Sequence, residues 1–494
     1  MTSRPGRVSL PGRLDRLSAE RRLRHRDRRA DDRSTPDPSL PAGTDRVPQI
    51  RHIVVLMMEN HSFDNYLGKL GRGEGLPEPA PVNYSMDGQP VRSHHFSTTI
   101  QKDDIPSQSW RASHIQYDEG SNNGFVASIE DISPDADRTA GMGYWDQSDL
   151  PFYHGLARTF PLADRWFCSC LGPTFPNRRF LLAATANGLI DDAITSIVDY
   201  PSTGTVFDLL NRHGISWVNY HHVPPLQLLR RQTGSRGTRM GKLALSGLGG
   251  LWSRLDHRVR GEIRCTANVY PLGFFRTLGH LRHVDRFFSD AASGKLPAVS
   301  LVDPDFATCS EENPQDIRRG ESFAADVIQA VMDGPAWPET LLIWLYDEHG
   351  GYYDHVPPPE AVEPDDQLPH SLAEASGARG WLLRHLGIMS GLRHDDDAAG
   401  RYDRLGFRVP AVIVSPYARP DLVSSTAYDH TSVLRLIEEK WNLPPLTRRD
   451  AEAVAPWECL DLDGPPAFLK PPDLPEPARP HLWRTAPDPA HTSD

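Results

Sequence analysis

Two apolar runs, Ile53-Val54-Val55-Leu56-Met57-Met58 and Leu341-Leu342-Ile343-Trp344-Leu345-Tyr346, stand far apart in the chain, and each breaks directly into acid. The first leads into Glu59-Asn60-His61-Ser62-Phe63-Asp64, the second into Asp347-Glu348-His349-Gly350-Gly351-Tyr352-Tyr353-Asp354-His355. A continuous apolar run of this length reads as a strand buried on both faces. Open α/β sheets bind ligands in the crevice beyond the carboxyl ends of such strands. The chain is therefore expected to form an α/β sheet with both acidic stretches at one edge, where their carboxylates would make a divalent-metal site.

Further strand-like runs support that layer: Ile215 to Tyr220, Ala298 to Val302 and Val409 to Ser415. Helical patterns lie among them, at Phe323 to Met332 and Thr431 to Lys440. Strands alternating with helices predict a mostly parallel sheet covered by helices. The reading divides the chain into a disordered Arg- and Pro-rich tail over 1–47, a catalytic body over 48–450 and a Pro-rich extension over 451–494. Two loop-rich insertions, about 78–140 and 226–275, are expected to form the rim of a site.

The formal charge of −12 argues against nucleic acid as a partner, because a phosphate backbone is usually met by a basic face. The arginine-rich start lacks the apolar core of a secretory signal, and no run is long enough to span a bilayer. A cytoplasmic or peripheral location is expected, with transient contact at a membrane surface, or secretion if the start codon is misassigned. Five cysteines without paired metal-ligand spacing read as buried thiols in a reducing compartment.

A third stretch, Gly172-Pro173-Thr174-Phe175-Pro176-Asn177-Arg178, places a threonine where a helix should begin. Thr174 reads as an N-cap residue or as a nucleophile. A hydroxyl at a helix start faces backbone N–H groups and the positive end of the dipole, where a phosphate is also stabilised. A threonine hydroxyl is a weak nucleophile without a metal or base, and the two acidic stretches could hold that metal.

In order, the Glu-Asn-x-Ser-Phe-Asp stretch, Thr-x-Pro-Asn-Arg, Asp-Glu-His-Gly-Gly-x-Tyr-Asp-His-Val-Pro-Pro-Pro and Tyr428-Asp429-His430-Thr431-Ser432 resemble the bacterial phosphoesterase family. That family includes non-haemolytic phospholipases C, respiratory-burst-inhibiting acid phosphatases and the plant non-specific phospholipases C. The resemblance covers roughly residues 51–450. It implies an alkaline-phosphatase-like α/β fold, with a mixed, mostly parallel sheet flanked by helices, and hydrolysis through a phosphothreonine. Carried over, Glu59, Asn60, Asp347, Glu348 and Thr174 are the implied metal ligands and Thr174 the implied nucleophile. The donor types suit Ca²⁺, Mg²⁺ or Mn²⁺, with Zn²⁺ also open.

His114 matches a family segment that contributes a histidine. It is the first choice for proton transfer, followed by His222 and His355, while Arg178, His221, His430 and Asn313 are expected around the phosphate. Asn313 stands where the family usually carries histidine, and it can hydrogen-bond a phosphate but deliver no proton. The expected substrate is a phospholipid or a small phosphate ester. A broad phosphomonoesterase is the nearest alternative, and a non-catalytic lipid- or phosphate-binding protein the more distant one.

Overall fold

In the computed structural model, residues 34–102, 105–192, 200–222, 265–270, 277–369 and 400–485 are described. The sheet strands in chain order are β1 (His52–Met58), β2 (Leu162–Ala163), β3 (Trp217–His221), β4 (Leu281–His283), β5 (Val299–Val302), β6 (Thr340–Tyr346), β7 (Ala411–Val414) and β8 (Val423–Ser424). They form one sheet in the order β8-β2-β7-β6-β1-β5-β3-β4. Only β7 runs against its two neighbours; the other pairs are parallel. The mixed, mostly parallel sheet expected from the apolar runs is present, with those two runs as adjacent central strands.

Every residue of β6, and all of β1 except His52, is buried. Both faces of these strands are covered, which explains why their sequences do not alternate. Each fully buried Leu, Ile or Val here contributes roughly 1.5–3 kcal/mol relative to an exposed one. One face carries α1 (Thr174–Ala183), α2 (Val206–Arg212) and α3 (Thr431–Lys440). The other carries three more helices, Pro151–Thr159, Val284–Ala292 and Ile317–Met332. The Tyr153 ring packs at a tilt on Trp344, and Tyr220 donates to Asp290 at 3.0 Å on that second face. Since side chains alternate along a strand, Asn219 and His221 at the end of β3 turn to the α1 face, and Tyr220 and His222 to the opposite one.

The boundaries read from composition need correction. Residues 34–47 belong to the body rather than to a tail: the Asn442 amide bonds Asp37, Leu40 and Pro41, and Lys440 reaches Asp45 and Val47. Polar side chains anchor this segment, so its composition resembles that of a tail. Of the extension, residues 451–485 also lie on the body, where Trp337 donates to the Phe468 carbonyl and Trp483 N to Ser322. Residues 1–33 and 486–494 lie outside the described residues, as does the insertion 226–275 apart from 265–270. The insertion 78–140 carries short strands, Val82–Tyr84 with Pro90–Arg92, and His94–His95. All five cysteines are buried, and none forms a disulfide. Among the described residues no helix is long and apolar enough to cross a membrane.

Candidate active site

The ladder register brings three acids to one edge of the sheet. Leu56 lies opposite both Trp344 and Val302, so β1, β5 and β6 end close together. The residues that follow them, Glu59, Asp303 and Asp347, are all buried. Removing charge from water is costly unless it is paired, and Arg178, one turn into α1, supplies the pairing. Its Nε donates to Asp347 Oδ2 at 2.8 Å, Nη1 to Thr266 Oγ1 at 2.7 Å and Asp303 Oδ1 at 3.3 Å, and Nη2 to the Met58 carbonyl at 3.2 Å. Glu59 Oε1 stands 3.9 Å from the same guanidinium. The expectation that Arg178 grips phosphate is therefore corrected: the side chain is fully buried and each of its three nitrogens is bonded to the protein.

Thr174 opens α1 as its first residue, behind Pro173 as N-cap, so the capping reading of its side chain is also corrected. Its hydroxyl lies 3.5 Å from Asn60 Oδ1. Asn60 adopts φ +69°, a left-handed conformation that asparagine tolerates. There its N–H donates to Asp347 Oδ1 at 3.2 Å, while its amide faces Thr174. Gly350, at φ +66°, packs on the Asn60 carbonyl; a Cβ at that position would collide with it. Glycine thus lets the two acidic loops dock. The Gly350 N–H in turn donates to Glu348 Oε2 at 2.7 Å.

Glu348 Oε1 and Glu59 Oε2 are buried with no hydrogen-bond partner. Burial pushes both carboxyls well above the usual range, with Asp347 adding repulsion to each and Glu312 to Glu59. Burial also raises Asp347, against the pull of Arg178. Orphaned carboxylate oxygens beside an amide oxygen and a hydroxyl form a hard-donor set of the kind a divalent cation satisfies. Among the described residues, the groups of three or more acidic, histidine or cysteine side chains with ligand atoms within 4.8 Å of one another are Asp64, Asp354 and His355, and the more exposed His95, Asp146 and Asp149; Glu59, Asp347 and Glu348 are not so tightly gathered. The first group is already neutralised by Arg408, which donates to Asp354 at 2.8 Å and to Asp64 at 3.1 Å.

The remaining expected residues divide. His430 stands at the N-cap position of α3 without a side-chain capping bond, and its Nε2 meets the Asp347 carbonyl at 2.6 Å; burial lowers its pKa to about 4, so the neutral ring braces the acidic loop. His355 bonds Asp64 at 2.6 Å within the Arg408 network, a structural role in place of the catalytic one expected. Asn313 holds two loops together, donating to the Ile105 carbonyl and accepting from Tyr352 at 3.3 Å, so the structure gives it partners other than phosphate. His114 bonds the Trp110 carbonyl at 2.7 Å, and it is Trp110 that lies against Gly172, two residues before Thr174. His222 turns to the helix face opposite α1, against Phe323 and Trp483, which corrects its assignment to proton transfer. His221 points to the α1 face, buried, with neither ring nitrogen hydrogen-bonded.

Three contributors were not anticipated. Asp303 follows the run Val299–Val302 in the same way that Asp347 follows Thr340–Tyr346, a signal present in the sequence. Thr266 donates to Asp303 at 2.6 Å and accepts from Arg178, and nothing local in the sequence marks it. Asp192 accepts the Phe175 N–H at 2.8 Å, and burial lifts its carboxyl to about 7.

A threonine hydroxyl thus stands at a helix start, among buried carboxylates, at the carboxyl edge of a mostly parallel sheet. Residues 50–444 match the Phosphoesterase family, and the chain belongs to it; it is a phosphoric ester hydrolase. Similar proteins include phospholipase C B of Mycobacterium tuberculosis, 29% identical over 85% of this chain and 80% of its own length. Hemolytic phospholipase C of Pseudomonas aeruginosa is 28% identical over 86% of this chain and 57% of its own. Non-specific phospholipase C3 of Arabidopsis thaliana is 26% identical over 81% and 71%. Among solved structures, a protein in the alkaline phosphatase superfamily from Vibrio parahaemolyticus aligns over 85% of this chain and 75% of its own, at 8% identity and a TM-score of 0.30.

Proposed function

We propose that the chain is a metal-dependent phospholipase C-type phosphodiesterase acting through Thr174. The observation that carries this reading is the Thr174 hydroxyl facing Asn60 Oδ1, beside Glu59 and Glu348 oxygens that are buried without partners. The names of the similar proteins support the phospholipid as substrate. Glu59, Asn60, Asp347 and Glu348, with Thr174 Oγ1, would hold a divalent cation, which when bound supplies Lewis acidity that lowers the hydroxyl pKa and offsets phosphoryl charge.

Thr174 Oγ1 attacks phosphorus as the bond from phosphorus to the glycerol oxygen breaks; the proton released from the Thr174 hydroxyl is matched by the one the departing alkoxide gains, and diacylglycerol leaves. Water then cleaves the phosphothreonine, releasing the phosphorylated headgroup and restoring the hydroxyl. Arg178 keeps Asp347 aimed, and His430 braces the backbone behind it. Turnover of p-nitrophenylphosphorylcholine, and diacylglycerol release from phosphatidylcholine vesicles, should both appear only with a divalent cation. Hydrolysis of p-nitrophenyl phosphate alone would move the activity to monoesters and contradict the proposal.

Two further results are expected. Replacing His221 by alanine should lower kcat/KM about a hundredfold or more, the lower end of what a positioned acid-base histidine contributes. The same change at His222, on the opposite face, should stay within about twofold; equal losses would contradict the assignment by face. The second result concerns stability. With Glu59 and Glu348 raised above 4.5, the metal-free folded state binds protons that the unfolded chain has released, so its stability falls as pH rises above that value. A bound cation removes this penalty. The Tm difference between EDTA-treated and metal-loaded protein should therefore widen from about pH 5 to about pH 8; a constant gap would count against these ligands.

A further inference from the structure

Asp192 accepts the N–H of Phe175 at 2.8 Å, and that nitrogen is bonded directly to the carbonyl carbon of Thr174. The carboxyl group thus lies one peptide group from the proposed nucleophile, at the start of the ten-residue helix α1. Phe175 is the second residue of α1, and its N–H is one of the donors that a helix leaves unpaired at its start. A phosphoryl group arriving at Thr174 Oγ1 would find this donor beside it, already taken by an anion. The Asp192 charge also reaches into the acidic pocket, where it adds to the repulsion felt by Glu348.

A phosphodiester brings one negative charge to this position, whereas a monoester brings nearly two near neutrality. Repulsion from a fixed carboxylate scales with that charge, and it is stronger beside a partly buried site than in water. We infer that Asp192 is a specificity-determining residue that biases the Thr174 site toward singly charged phosphodiesters, by setting a carboxyl group, repulsive when ionised, against the first turn of α1. This rests on the reading of Thr174 as nucleophile and adds to it which phosphate esters the site rejects.

The test compares the full-length, metal-loaded wild type with Asp192→Asn and Asp192→Ala, at about pH 8.5, where the carboxyl is ionised. Asparagine keeps an acceptor for the Phe175 N–H and removes only the charge. The kcat/KM ratio of p-nitrophenyl phosphate to p-nitrophenylphosphorylcholine should rise about tenfold in Asp192→Asn, mainly through a lower KM for the monoester. Inorganic phosphate should inhibit that variant correspondingly better. Asp192→Ala should lose turnover of both substrates through the missing acceptor, yet show the same shift in ratio. A ratio unchanged in Asp192→Asn, or equal losses on both substrates, would reduce Asp192 to a support for the helix and overturn the inference. Thr174→Ala separates the two claims. If it leaves wild-type turnover intact, the nucleophile reading fails, and the affinity for inorganic phosphate measured by calorimetry decides the role of Asp192: tighter binding in Asp192→Asn upholds it, and unchanged binding refutes it.

Discussion

Thr174→Ala is expected to cut phosphodiester turnover by about a thousandfold or more while leaving Tm within a few degrees, since removal of a nucleophile eliminates the covalent route. The small structural cost follows from the geometry. The hydroxyl makes one long contact, to Asn60 Oδ1 at 3.5 Å, and the helix start, with Pro173 at the N-cap position, takes no capping bond from the Thr174 side chain. Thr174→Ser should keep substantial activity because it retains the hydroxyl. A variant that loses turnover only as far as it loses folded protein would show Thr174 to be structural.

The largest effect on stability is expected at Arg408. The guanidinium is fully buried, bonding Asp354 at 2.8 and 3.2 Å and Asp64 at 3.1 Å, and donating to the carbonyls of Glu74 and Asp164 at 2.8 and 2.9 Å. Its face also lies over the Phe63 ring. This residue joins the two acidic stretches, because Asp64 belongs to the first and Asp354 to the second. Arg408→Met keeps much of the volume and leaves both carboxylates buried without their cation, a change that typically costs about 3–5 kcal/mol. Chemical denaturation should show a loss of that order. Asp64→Asn combined with Asp354→Asn in the Arg408→Met background should recover part of it. A loss below about 1 kcal/mol would mean that water reaches the pair, as it does for exposed ion pairs.

The parts of the site that were legible share one property. β1 and β6 are covered on both faces, so each appears as an unbroken apolar run, and the polar residue ending such a run marks the carboxyl edge of the sheet. Glu59, Asp347 and Glu348 were read in this way, and Asp303 could have been, since Val299–Val302 breaks into acid just as abruptly. The two- and three-residue strands β2, β4 and β8 are too short to carry a pattern and owe their conformation to neighbouring strands. Arg178 was misread for a different reason. Its position in α1 is visible in sequence, but whether a guanidinium there meets substrate or carboxylate depends on burial, and only the fold shows each of its three nitrogens bonded to the protein. His221 and His222 differ by one residue and so by a face, a distinction that turns on where β3 ends. Asn313 departs from the family pattern in sequence, and the fold shows it binding Ile105 and Tyr352.

The central claim is that phosphate passes through a covalent bond to Thr174. Rapid acid quench of metal-loaded enzyme during turnover of p-nitrophenylphosphorylcholine, followed by peptide mass spectrometry, tests it directly. The account predicts that the peptide containing Thr174 gains one phosphocholine group, that the modification is absent without a divalent cation, and that Thr174→Ala abolishes it. Full turnover with that peptide unmodified at every quench time, together with a burst of product that Thr174→Ala leaves unchanged, would contradict it.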